Sequence, residues 1–143
     1  DHMNVTATLA QEAQPALHQP ACYLREIHPA HDVVVDGRKL SGNAQYRRKD
    51  AIIQHGSITY ARAVDRHLAV FADPGVSPDA FRKRVTSIRE QVGIERQAAI
   101  DALETAFREW AEPDDGDWTA DERDAARAKV SEQFGAETWN RRV

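Results

Sequence analysis

The sequence predicts an α+β fold, with antiparallel hairpin strands of a mixed sheet packed against C-terminal helices, and three observations carry that reading. First, the β-branched run Asp32-Val33-Val34-Val35 leads into Asp36-Gly37 and then Arg38 onward. Asp-Gly between extended segments favours a two-residue hairpin turn, because both central residues need φ > 0. Second, Ala51 to Tyr60 carries Ile52, Ile53, Ile58, Thr59 and Tyr60 after the charged stretch Arg47-Arg48-Lys49-Asp50, which suits an exposed turn. Third, the apolar period changes from strand-like to helix-like after Ser77. Strands followed by helices argue for α+β.

The elements follow in order. Val5 to Leu17 predicts a helix with Val5, Leu9, Ala13 and Ala16 near one face, ended by Pro20. Three antiparallel strands in series come next. Ser77-Pro78 places an N-cap before proline at the first helical position, and Phe81, Val85, Ile88 and Val92 recur at helical spacing up to Gly93, with Thr86 and Ser87 as a potential interruption. From Glu95, the residues Ala99, Leu103, Ala106, Phe107 and Trp110 form a stripe that calls for an apolar cover. Pro113 to Asp117 breaks that helix, and Thr119 with Glu122 is a capping-box signature for a last helix bearing Ala126, Val130 and Phe134 and stopping at Gly135. The aromatic set Phe107, Trp110, Trp118 and Phe134 is expected in helix-on-sheet core.

Composition bounds the function. With 41% hydrophobic and 29% charged residues the chain can bury a core, and a formal charge of -4 with pI near 5.9 argues against a nucleic-acid partner. No apolar run approaches the roughly 20 residues of a membrane span, so a cytoplasmic location is expected. The single cysteine, Cys22, excludes an internal disulfide, and it reads either as buried filler or as a reactive thiol. His28 and His31 have metal-like spacing, but Pro29 between them and the lack of a carboxylate cluster argue against a metal site. Asp1-His2-Met3 reads as a remnant of expression, leaving 4–143 as a single domain.

The stretch that carries chemistry is Gly37-Arg38-Lys39-Leu40-Ser41-Gly42-Asn43-Ala44-Gln45, followed by Gln54-His55-Gly56-Ser57. Small residues stand where a plain strand would hold larger ones. Gly42, Ala44 and Gly56 let a ligand or another backbone approach, while Lys39, Asn43, Gln45 and His55 can aim polar groups into the vacated space. Lys39 and His55 share a sheet surface only if the strand registers agree.

These residues resemble the lysine-bearing hairpin of lipoate-protein ligases and octanoyltransferases, and Trp139-Asn140 is similar to the Trp-Asn that closes the family's catalytic domain. The resemblance covers roughly Cys22 to Asn140. It implies attachment of lipoate to a specific lysine of a lipoyl acceptor domain, in a 2-oxoacid dehydrogenase or glycine cleavage protein, through lipoyl-adenylate with ATP, lipoate and Mg. Lys39 would hold the acyl-adenylate, and Ser41, Gly42, Asn43, Ala44, Gln45, His55, Gly56 and Ser57 would line the substrate site. Two alternatives stand beside it. Ala21-Cys22-Tyr23 is placed like the nucleophilic cysteine of one octanoyltransferase branch, which would take octanoyl from a carrier protein as a Cys22 thioester. A non-catalytic accessory chain completing a partner's pocket is the other. The family's upstream Arg-Arg and Gly-rich segment has no counterpart here, so an upstream portion or separate chain is expected to complete the site.

Overall fold

The computed structural model describes residues 2–18 and 21–141, which form two compact units, 1–110 and 111–143. The first unit is built on a four-stranded antiparallel sheet in the order β1 (Thr8–Leu9), β2 (Val33–Val35), β3 (Arg38–Arg47), β4 (Ile52–Ile58). The β2–β3 turn has Asp36 at φ 49° and Gly37 at φ 72°, the left-handed pair that Asp-Gly predicts. β3 and β4 then pair along seven residues, from Ser41↔Ile58 to Arg47↔Ile52, and the Arg48 N–H donates to the Ala51 carbonyl across an exposed turn.

No helix forms over Val5 to Leu17. Thr8 and Leu9 instead pair with Val34 and Val33, the Ala10 N–H donates to the Asp32 carbonyl, and the Gln14 and Ile27 backbones bond reciprocally. The open edge of β2 offers this segment backbone partners, and a short stretch containing Pro15 gains more from them than from a marginal helix. The buried residue is accordingly Ala10, while Leu9 faces solvent.

The helical run after Ser77 is interrupted, and the interruption matters for the site. α1 (Val64–Leu68) is followed by α2 (Pro78–Arg84), capped by the Ser77 hydroxyl, which accepts from Ala80 N–H. Val85 is extended (φ −120°, ψ 140°), and Thr86 N–H donates to the Lys39 carbonyl at 2.9 Å. α3 (Ile88–Val92) restarts with Ser87 as its cap and stops at Gly93, left-handed at φ 67°. Ile88 and Arg89 donate their N–H groups to the carbonyls of Thr59 and Tyr60, tying the new helix to the chain leaving β4. α4 (Arg96–Ala111) completes the unit.

Packing follows two main clusters. Leu24, Val64, Leu68, Phe81 and Val85 form one, and Val35, Leu40, Ile88 and Ala99 form the other, where α3 and α4 cover the sheet. Arg38 and Arg62 both pair with Glu90, at 2.6 and 2.5 Å, bracing α3 against β3 and the chain after β4. The stripe on α4 is covered only near its start. Ala99 is buried, whereas Phe107 and Trp110 are 58% and 82% exposed.

In the second unit, α5 (Ala120–Lys129) runs into a π-helical turn (Val130–Phe134) and then α6 (Glu137–Asn140). The Phe134 and Trp139 rings meet edge to face at 5.1 Å, and Asn140 Nδ2 donates to the Phe134 carbonyl. Trp118 and Phe134 are 71% and 47% exposed, so the four aromatics expected in a helix-on-sheet core lie largely on the surface. Helical spacing establishes a common face, but the partner for that face is a separate matter. Among the described residues no helix is long and apolar enough to cross a membrane.

The capping box is complete. Thr119 N–H and hydroxyl both donate to the Glu122 carboxylate at 2.8 Å, and Glu122 N–H donates to the Thr119 hydroxyl. The backbone bond first, and then the hydroxyl, hold the Glu122 carboxyl below its ordinary pKa. A lowered carboxyl pKa means the ionised form is favoured in the fold, so the stabilisation is complete above the unfolded value and is lost as pH falls through the folded one. Titration of the Glu122 carboxyl by NMR should give a midpoint below that of a Thr119→Ala variant; equal midpoints would show that the box does not hold in solution.

Candidate active site

Lys39 is placed by an irregularity in the sheet. Val34 pairs with Lys39 but Val33 pairs with Ser41, so β3 carries one residue, Leu40, more than β2 matches. Simple alternation would put Lys39 and Gly42 on opposite faces. With the extra residue they share one, and a Cβ on Gly42 would stand 3.1 Å from Lys39 Cε and 3.3 Å from its Nζ. Gly42 is opposite Ser57 and Ala44 is opposite His55, and directly opposed residues share a face. The registers therefore agree: Lys39, Gly42, Ala44, His55 and Ser57 belong to one surface, which walls a cavity of about 480 Å³.

Within that wall Lys39 is buried, 7% exposed, and so is its partner Asp32 at 2%. Lys39 Nζ lies 3.1 Å from Asp32 Oδ1 and donates to the Glu26 carbonyl at 3.3 Å. Asp32 Oδ2 accepts the His28 N–H at 2.8 Å, and His31 Nδ1 is 3.6 Å from Oδ1. An ammonium has three donors, so the two contacts to Asp32 and Glu26 leave one for a ligand. Asn43 Nδ2 donates to the His31 carbonyl at 2.8 Å, linking β3 to the loop before β2. Gly56 is needed beside it, because a Cβ there would meet Asn43 Oδ1 at 2.3 Å and the Gly42 carbonyl at 2.8 Å.

Most of the predicted residues come together. Lys39, Gly42, Asn43, Ala44, His55, Gly56 and Ser57 line the cavity. Ser41 does not: it is buried at 5% exposure, its hydroxyl 3.4 Å from Asn43 Oδ1, because the extra residue turns it away. Gln45 borders a neighbouring depression and bonds Gln54 at 2.9 Å. Cys22 begins the short 3-10 turn Cys22–Leu24, whose Tyr23 lines the cavity; its side chain lies outside the described residues. Sequence reasoning missed Asp32, His31, Glu26 and Arg25. A carboxylate directly preceding the β-branched run Val33-Val34-Val35 was the available signal for Asp32.

His28 and His31 stack on each other at 4.6 Å, and among the described residues no group of three His, Cys, Asp or Glu side chains could hold a metal ion. Asp32 is committed to Lys39 and the His28 N–H. The wall thus fits a carbonyl or phosphoryl oxygen against Lys39.

A family model for the lipoyl protein ligase A/B catalytic domain matches residues 3–108. The chain belongs to that family. It is similar to the octanoyltransferase LipM of Kyrpidia tusciae, 31% identical over 121 residues, which covers 78% of this chain and 44% of that protein. It is also similar to the lipoate-protein ligase LplJ of Bacillus subtilis, 38% identical over 78 residues, covering 54% of this chain and 22% of the ligase. Among solved structures, lipoate-protein ligase A bound with ATP superposes with a TM-score of 0.66 at 23% identity, covering 90% of this chain and 50% of that one. A bi-partite lipoate protein ligase from Thermoplasma acidophilum gives 0.65 at 23% identity, covering 92% and 51%. These structures share the fold. The chain spans about half the length of these octanoyltransferase relatives and solved chains.

Removing Asp32's charge strands a buried ammonium. Asp32→Asn should lower unfolding stability by about 3–5 kcal/mol, measured by urea denaturation; a loss under about 1 kcal/mol, the range of exposed pairs, would show the pair to be solvated.

Proposed function

We propose that the chain carries the lysine-bearing part of an acyl-transfer site, working as an octanoyltransferase with Cys22 as acyl acceptor and Lys39 as the group that receives the developing charge. The observation that carries this reading is the Lys39 ammonium, fixed by Asp32 in the wall of a cavity that is also lined by Tyr23, the neighbour of Cys22. The octanoyltransferase relatives favour it over the ATP-dependent ligase expected from the hairpin motif.

The chemistry follows from these groups. The Cys22 thiol gives up its proton as its sulfur adds to the thioester carbonyl of an octanoyl carrier, the carrier's C–S bond breaks, and that proton passes to the departing carrier sulfur, which leaves as a thiol. The amine of an acceptor lysine then attacks the Cys22 thioester, forming the amide and releasing the Cys22 thiol. In both steps negative charge grows on the carbonyl oxygen, and the remaining Lys39 N–H donor strengthens its bond as it does. Gly42 keeps the ammonium accessible by leaving its own side uncovered. A lipoyl acceptor domain is the partner, and an upstream polypeptide supplies the remainder of the acyl pocket.

The ligase reading is kept as a second one because of the likeness to LplJ. In it Lys39 holds the carbonyl and phosphoryl oxygens of the acyl-adenylate, and Cys22 is dispensable; ATP would supply the activation when bound.

The two readings separate on the mass of an acceptor domain incubated with the chain and the upstream part of the family domain. Transfer from an octanoyl carrier without ATP, lost in Cys22→Ala and in Lys39→Ala, is expected. Modification requiring lipoate and ATP, and surviving Cys22→Ala, would replace it with the ligase reading. Gly42→Ala should cut transfer roughly tenfold, since it crowds the ammonium by a fraction of the ångström-scale misplacement that costs about a hundredfold; an unchanged rate would mean that Lys39 does not reach the acyl group on this side.

A further inference from the structure

Arg84 closes α2 and is buried, 6% exposed, with no carboxylate in ion-pair reach among the described residues. Its guanidinium is spent on one segment of chain. Nη1 donates to the Gln14 side-chain oxygen at 2.7 Å, and Nη2 to the carbonyls of Gln14, Pro15 and Arg25 at 3.3, 2.7 and 2.9 Å. Those acceptors stand on both arms of a single loop. Gln14 and Ile27 exchange backbone hydrogen bonds at 3.0 Å each, Leu17 N–H donates to the Leu24 carbonyl at 2.8 Å, and the Cys22–Leu24 turn lies between the arms.

The residues after Arg84 grip the other half of the site. Val85 pairs with Lys39 as a parallel bridge, and Thr86 N–H donates to the Lys39 carbonyl. Three consecutive residues therefore hold the cysteine-bearing loop by a side chain and the lysine-bearing strand by the backbone. The arrangement is costly: burial pushes the Arg84 pKa down, against a weaker pull upward from Asp32, and its Nε has no hydrogen-bond partner among the described residues. An apolar side chain of similar volume would leave the loop carbonyls of Pro15 and Arg25 without these donors. A planar fork with several fixed donors does something an apolar residue cannot, which is to set the separation of two loop arms.

The geometry points to Arg84 as a positioning residue for acyl transfer, fixing the loop that carries Cys22 relative to Lys39; the assignment rests on the acyl-transfer reading above. Its test is the rate at which Cys22 takes octanoyl from a loaded carrier, followed by intact mass, with the upstream part of the family domain present. Wild type, Arg84→Lys and Gln14→Ala are compared well below each protein's melting midpoint. Arg84→Lys keeps the charge but loses the fork, and its maximal rate should fall about a hundredfold, the effect of a misplacement near 1 Å, with the half-saturating carrier concentration within about twofold of wild type. Gln14→Ala removes one acceptor and should fall several-fold in the same way; it carries the test if Arg84→Lys does not fold. Lower melting midpoints with unchanged maximal rates would overturn the assignment and leave Arg84 a stabilising residue. Wild-type chain that takes no octanoyl on Cys22 would remove the acyl-transfer reading together with this assignment, whereas active wild type with unaltered variants removes the assignment alone.

Discussion

The buried pair between Lys39 and Asp32 is the constraint around which the first unit is arranged. Taking both charges out of water costs several kcal/mol per ion, and that cost is offset only when the remaining donors and acceptors are satisfied. Here the Glu26 carbonyl and the His28 N–H supply those partners, so the loop from Glu26 to Asp32 must lie against the sheet. The face-switching residue Leu40 and the missing side chain at Gly42 are the other half of the same arrangement. One drops an apolar side chain into the core with Ile88 and Ala99 while the other leaves room for the lysine stem.

The break in the helical run serves this pair as well. A continuous helix from Pro78 to Val92 would have no free backbone donors at Val85 to Ser87, because intrahelical bonds would use them. The extended step frees the Thr86 N–H for the Lys39 carbonyl, and Ser87 then caps the next helix, so few backbone groups are stranded. The same step ends α2 at Arg84, whose side chain reaches the loop of Cys22. Local helix stability has been exchanged for a junction that touches the strand, the loop and the following helix.

What was legible in the sequence is what local chemistry dictates. Asp36-Gly37 admits few turns other than the one found, and Ser77-Pro78, Gly93 and Thr119 with Glu122 mark helix ends by their own hydrogen bonds or backbone freedom. The small-residue hairpin stood out as a candidate site because Gly42, Ala44 and Gly56 are poor choices for a plain strand, and all three line the cavity. What was not legible depends on distant partners. Apolar spacing over Val5 to Leu17 does not reveal the free edge of β2, and the spacing of Phe81, Val85 and Ile88 does not reveal that Lys39 offers Thr86 a carbonyl. The aromatic stripe through Phe107 and Trp110 marks a face without naming its cover. Asp32 escaped notice because a carboxylate before a strand ordinarily reads as a solvated flank.

In the proposed reaction Lys39, held by Asp32, meets the acyl carbonyl inside the cavity. A crystal structure of the chain with the upstream part of the family domain and a bound octanoyl thioester analogue tests it most directly. Lys39 Nζ is expected within about 2.7–3.2 Å of the carbonyl oxygen with the Asp32 contact retained. An analogue bound with its carbonyl turned away from Lys39, which still contacts only Asp32 and the Glu26 carbonyl, would contradict it.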